Sequence, residues 1–200
     1  VFVFVYGTLV APWPAWNAAY GAYFRGLCGH FLAHDDAGSI VRFRAAPAGA
    51  ALDTQIVLVD PRTIDAHGNA RGHLLGLDSR GVGWIPTAFL CALILSTWLP
   101  WPRRLGALGF GLLILHLYLL LAVRVYIWNR SLPELAVGPL AAALRWVGSG
   151  LEETMVTQLG PSFVVPAVIW ILVSFRKEDL DAAREGLAAG RHPSPPGQGR

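Results

Sequence analysis

The sequence is short of charge: 14% of its 200 residues are Asp, Glu, Lys or Arg, against about a quarter in an ordinary soluble domain. With 54% hydrophobic residues, a water-soluble fold of this size would be left apolar on its outside, which excludes that class. Lysine is almost missing. Lys177 stands alone beside fifteen arginines, and the net charge of +3 is too small and too scattered to hold a nucleic acid. The two cysteines, Cys28 and Cys91, cannot build a disulfide framework and read as small buried hydrophobes. The opening residue is Val1, not methionine, followed by Phe2-Val3-Phe4-Val5. Such a start predicts that the chain joins a first transmembrane helix partway along; the alternative is a mature end left by a cleaved signal peptide.

Catalytic signatures are also lacking. Ser39, Ser79 and Ser96 have no glycine-rich elbow around them, and Cys28-Gly29-His30 is too local to align thiol and imidazole. His30, His34, Asp35 and Asp36 form HFLAHDD, where two histidines at helical spacing could begin a metal site, but a third ligand would have to come from His67 or His73. A solvated loop is the simpler reading. No catalytic residue, metal site or resident cofactor is predicted, and the chain reads as a non-enzyme.

What the sequence does have is long apolar runs edged by tryptophan, of which there are eight, a residue suited to the headgroup layer. From Trp84 to Trp101 runs an uncharged stretch of eighteen residues, WIPTAFLCALILSTWLPW. At helical rise it covers about 27 Å, close to the roughly 30 Å of a bilayer's hydrocarbon core. A further run, Leu105 to Trp128, carries only Arg124 as a charge. Joined by Pro102-Arg103-Arg104, the two predict a tight transmembrane hairpin over residues 84–128. A last span is predicted over 155–175, kinked at Pro166 and stopped by Arg176-Lys177. Between them, residues 129–154 suit an interfacial amphipathic segment.

The short Arg103-Arg104 loop and Arg176-Lys177 belong in the cytoplasm by the positive-inside rule. Residues 1–11 then end the first span, 12–83 lie in the periplasm, and 176–200 form a cytoplasmic tail whose Pro- and Gly-rich end is disordered in composition. The outer segment predicts a small cap. Pro12-Trp13-Pro14 breaks the first span, Ala15 to Leu32 forms an interfacial helix, and SIVRFRA (39–45) and DTQIVLV (53–59) form two strands around a turn at Ala46-Pro-Ala-Gly-Ala50. A two-stranded hairpin is marginal alone, so Ile40, Phe43, Ile56 and Leu58 need cover from the interfacial helix or from a partner. The fold class expected is therefore a mainly α membrane protein of the bacterial inner membrane. It has about four transmembrane helices, both termini inside, a small β-containing periplasmic cap and interfacial helices.

Three intramembrane features suggest roles. His116 sits mid-run in GLLILHLYLLL, where it either makes an interhelical hydrogen bond or ligates haem or bacteriochlorophyll. Leu112, one turn before it, crowds the approach of a macrocycle. Arg124 either snorkels to the headgroups or pairs with Glu152 or Glu153. Gly109 and Gly111 make a small-residue face for helix packing, not a phosphate loop.

The layout resembles the small membrane proteins encoded beside bacterial exosortases, the transpeptidase-like enzymes of a protein-sorting system. The resemblance spans about residues 1 to 130 and rests on Pro12-Trp13 after the first span, the β-containing outer segment, the hairpin entry Arg80-Gly-Val-Gly-Trp-Ile-Pro86 and the turn Trp101-Pro-Arg-Arg104. It implies an accessory, because the cysteine, arginine and histidine expected of an exosortase have no match: Cys91 and His116 fall within spans. The functional expectation is a non-catalytic accessory or scaffolding subunit of a respiratory, photosynthetic or protein-sorting complex, touching lipid and larger integral membrane subunits. The alternatives are an exosortase-system component and a pigment- or haem-bearing subunit using His116.

Overall fold

The computed structural model describes residues 1–33, 40–47, 49–50, 52–59, 72–131 and 159–175. The interfacial segment expected at 129–154 (beyond Ser131), the tail from 176, His34-Asp35-Asp36 and His67 lie outside the described residues. The protein is mainly α-helical with one small sheet. In order it runs α1 (Phe2–Val10), α2 (Pro14–Leu32), β1 (Ile40–Ala45), β2 (Thr54–Val59), β3 (Gly72–Leu77), a single π-helical turn (Arg80–Trp84), α3 (Ile85–Ser96), α4 (Trp101–Ser131) and α5 (Leu159–Ser174).

Prolines set the helix boundaries. The chain turns extended at Ala11, and Pro14 opens α2 in its first turn, where a missing N–H costs nothing. The long uncharged run does not form one helix. α3 stops at Ser96, Thr97 is extended, and α4 already begins at Trp101. The expected loop Pro102-Arg103-Arg104 is thus the first turn of α4, and the connection is residues 97–100. The reason lies in Pro100 and Pro102, which disfavour helix just before them but suit a helix start. Arg104 closes that start by donating its backbone N–H to Pro100 O at 2.9 Å.

Among the described residues, one helix is long and apolar enough to cross a membrane, Trp101–Arg130. Arg80–Ser96 and Ser162–Ser174 are shorter apolar helices. Pro166 is accommodated inside α5 and buried.

The sheet has three antiparallel strands in the order β1-β2-β3, one more than the two expected. β3 reads GHLLGL, with two glycines and no β-branched residue, so it carries little strand signal. Its register sets Leu75 opposite Ile56 and Leu77 opposite Thr54. The turn before β2 is closed by Ala50 N–H to Pro47 O at 3.1 Å and needs Gly49, whose φ is +86°.

Alternation puts Val41, Ile56, Leu58 and Leu77 on one face of the sheet, buried with Tyr20, Phe24, Cys28 and Leu32 of α2, and Phe43 packs beside them. α2 is therefore the cover that the strands needed. Ile40 falls on the opposite face, half-buried. This core also takes in Trp84, Ala88, Val123 and Ile127, so α2 and the sheet rest on the entry to α3 and the C-terminal part of α4. A second core, with Leu90, Ile94, Leu115, Leu119 and Ile169, joins α3, α4 and α5.

Candidate functional site

The most connected polar residues sit at the π-helical turn, where the sheet unit meets the helices. The C-terminal carbonyls of α1 have no partners within their own helix. Arg80 supplies one, donating from Nη2 to Val10 O at 2.7 Å, and Trp84 supplies another, donating from Nε1 to Leu9 O at 3.0 Å. A cation at a helix C-terminus also meets the negative end of its dipole. On the other side of the turn, Asp53 at the entry to β2 accepts from the Ser79 backbone N–H at 2.8 Å and from the Ser79 hydroxyl. Asp78 accepts from the Arg80 N–H at 3.1 Å, and Arg25 of α2 donates to Thr54 Oγ1 at 3.4 Å. Far along α4, the Tyr126 hydroxyl donates to Gly76 O of β3 at 3.1 Å. The turn is thereby bonded to the end of α1 and to the entry of β2, while α2 and α4 are bonded to the sheet.

Glycine makes the turn possible. A Cβ on Gly83 would stand 2.6 Å from Tyr20 Oη and 3.2 Å from Phe24 Cδ2, and one on Gly81 would stand 2.6 Å from Asp78 Oδ2. α2 can approach only because Gly83 lacks a side chain, and Gly81 leaves room for the Asp78 carboxylate. Thr87 spends its hydroxyl on Gly83 O at 2.7 Å, so the buried Tyr20 hydroxyl is left without a hydrogen bond of good geometry. Burial raises the Tyr20 hydroxyl well above its ordinary value and pushes the Cys28 thiol up to about 12. Cys28 is thus held as a neutral, inert thiol.

The residues singled out in the sequence scatter. His116 is half-buried on α4, with Nδ1 2.7 Å from Leu112 O and its ring edge-on to Tyr23 of α2 at 5.8 Å. Its hydrogen bond is within its own helix, and its neighbour across helices is an aromatic ring. Arg124 is half-buried and has an interaction partner, while Glu152 and Glu153 lie outside the described residues. Gly111 is a packing position, since a Cβ there would touch Ile94 at 3.3 Å and Leu90 at 3.5 Å; Gly109 has open space around it. Cys28 is buried and His30 exposed, as two positions on opposite sides of a helix must be, so they do not converge. Among the described residues, no three His, Cys, Asp or Glu side chains cluster to hold a metal ion.

The junction itself was missed from the sequence. As a local motif Arg80-Gly-Val-Gly-Trp84 marks only a hairpin entry; its available signal is an arginine and a tryptophan bracketing two glycines beside an apolar run. No protein-family model, curated protein or solved structure matches this chain.

Proposed function

We propose that this chain is a non-catalytic accessory subunit of a bacterial inner-membrane complex, in which four helices cross the bilayer and carry a periplasmic cap that docks a larger integral membrane subunit. The membrane reading is supported by α4, of whose most apolar stretch only 33% is buried by the rest of the protein. Phe110, Leu113, Leu117 and Leu121 are exposed on it and spaced as one helical stripe, which suits lipid and neighbouring helices and not water. The ends of α1, α3, α4 and α5 share a single cavity lined by Phe2, Thr97, Arg103 and Ser174. That arrangement supports crossings in alternate directions, with the arginine end in the cytoplasm.

The accessory role is carried by the outer face of the sheet. The cap is fixed to the helices through Asp53–Ser79, Arg80–Val10 and Tyr126–Gly76, yet its other face stays apolar and open. Leu74 is 60% exposed there, and with Leu52, Ala46, Ala50 and Gln55 it lines a shallow groove of about 210 Å³. Arg42 and Arg44 are exposed on the same face. A rigidly mounted apolar groove beside two cations is a docking surface for an acidic, partly apolar periplasmic segment of the larger subunit. Deleting the strands would unseat Val41, Ile56 and Leu58 from α2, so the informative change is Leu74→Asp. The tagged chain purified from native membranes should bring a larger membrane subunit at fixed stoichiometry, and Leu74→Asp should remove that subunit while the chain remains inserted. Retention of the partner at the same stoichiometry would sink the docking assignment.

A further inference from the structure

His116 stands on α4 at the edge of the cover that α2 provides. Toward the C-terminus of the helix, Val123 and Ile127 are buried in the core shared with α2 and the sheet. Toward the N-terminus and on the same side, two turns away, a Cβ on Gly109 would meet nothing within 4 Å. The imidazole is held from two directions. Its Nδ1 lies 2.7 Å from Leu112 O; a carbonyl only accepts, so Nδ1 donates, and in the neutral ring Nε2 carries the lone pair. The Tyr23 ring of α2 meets the imidazole edge-on at 5.8 Å. Nε2 itself has no hydrogen-bond partner among the described residues and, unlike the enclosed Tyr20 hydroxyl, is open to the outside of the protein. The surface around it is hydrocarbon, with Leu113 and Leu117 both exposed. Leu112, expected from the sequence to crowd a macrocycle, packs instead against the second core with Leu90 and Ile94.

An accessible lone pair among exposed leucines is badly served by lipid, whose hydrocarbon offers neither a hydrogen-bond donor nor a Lewis acid. Pinning one ring nitrogen to a carbonyl is also how a protein fixes the tautomer and aims the other nitrogen at a metal. A bare ion does not suit the place, because no three His, Cys, Asp or Glu side chains cluster among the described residues. A tetrapyrrole does suit it. The macrocycle supplies its own equatorial nitrogens and asks the protein for one axial ligand, and its apolar faces match the leucines. We infer that His116 Nε2 is the axial ligand of a metal-centred tetrapyrrole lying against α4, with Gly109 leaving room for its edge. The shared chemistry is an open axial position on the iron of a haem or the magnesium of a bacteriochlorophyll. The inference rests on the reading above only in placing α4 within the bilayer.

The test uses the full 200-residue chain, carrying no histidine tag, in neutral detergent. The probes are hemin, bacteriochlorophyll a and metal-free protoporphyrin IX, each titrated while its absorption band is followed. A metal-bearing probe should bind with a shifted band, and about tenfold or more tighter than the metal-free ring, which gives Nε2 no metal to bond. Binding of hemin alone identifies a haem site; binding of bacteriochlorophyll alone identifies a pigment site. His116→Ala should lose the shift and about tenfold in affinity, and free imidazole should restore the shift in that variant. Gly109→Leu projects into open space, so its melting temperature should hold while the probe binds more weakly with His116 intact. Equal binding of metal-bearing and metal-free rings, or an unchanged shift in His116→Ala, would overturn the ligation. So would a parent chain that binds no probe but loses a co-purifying membrane subunit on His116→Ala, since Nε2 would then accept a hydrogen bond from that subunit. Extraction of the chain from native membranes by alkaline carbonate would overturn the membrane reading; retention in the membrane with no band shift would overturn the tetrapyrrole site alone.

Discussion

Arg80 and Val10 meet across seventy residues of chain, the guanidinium Nη2 of one donating to the carbonyl of the other at 2.7 Å. Trp84, one helical turn on, does the same for Leu9 at 3.0 Å. The turn that begins α3 is therefore also the C-terminal cap of α1. Arg80→Gln should lower stability by about 1.5–3 kcal/mol, the range for a hydrogen bond from a charged group, and Trp84→Phe by about 1 kcal/mol. The combined variant should cost less than the sum, because both cap the same helix end through adjacent carbonyls. Denaturant titration in detergent reads this directly. Strict additivity would show that the two bonds hold independent structures.

Gly83 makes a second prediction with a built-in rescue. Its missing side chain admits Tyr20 Oη, which a Cβ would meet at 2.6 Å. Gly83→Ala should destabilise by about 1–3 kcal/mol through overpacking. Adding Tyr20→Phe removes the clashing oxygen, itself buried without a good hydrogen bond, and should recover a good part of the loss. Tyr20→Phe alone should be near neutral. If the double variant is no more stable than Gly83→Ala, the contacts with ring carbons, Tyr20 Cε1 at 3.0 Å and Phe24 Cδ2 at 3.2 Å, are the ones that matter.

Cys28 gives the pH dependence. Burial pushes its thiol from the ordinary 9.0 up to about 12, so on raising the pH the unfolded state loses this proton first. The stability contributed by this site is fully present below pH 9.0 and is lost as the pH climbs toward about 12. The parent chain should lose stability between about pH 8 and pH 10 faster than Cys28→Ala does. Equal slopes would mean that the thiol ionises alike in both states. In the native protein, Cys28 should also resist alkylation at neutral pH and react only on unfolding.

The parts of this architecture that were legible in the sequence are those with a local signal. Pro12 and Pro14 mark the break between α1 and α2, and the alternation of Val41 and Phe43 against Ile40 and Arg42 marks β1 and its inward face. β3 was not legible, because Gly72 and Gly76 dilute its pattern and its pairing is read only against Val59 and Gln55. The end of α3 was obscured by apolar continuity: Thr97 to Pro100 is as hydrophobic as a helix, but the backbone leaves the helix at Thr97, ahead of Pro100. The junction could not be read locally. Arg80 looks like an ordinary positive flank until Val10 is beside it, and Asp53 looks like a turn residue until it accepts from Ser79.

The length of α4 yields the topology prediction. Its 31 residues extend about 46 Å, whereas a hydrocarbon core takes roughly 30 Å. Starting from Arg103 and Arg104 at one surface, a crossing uses about twenty residues and ends near Arg124, where a charge can reach headgroups. The residues just beyond, Tyr126 and Ile127, are those that touch the sheet unit. On the proposed four-span reading, the excess length of α4 is the pedestal of the cap, on the side opposite Arg103. Fusions placed after Asn69 and at the C-terminus should accordingly report opposite compartments. Alkaline phosphatase should be active only after Asn69, and a fluorescent protein that folds only in the cytoplasm should be bright only at the C-terminus. The same compartment for both sites would rule out four crossings. It would equally rule out a single crossing by α4, because α3, α4 and α5 all lie between Asn69 and the C-terminus and a shared compartment requires an even number of these three to cross.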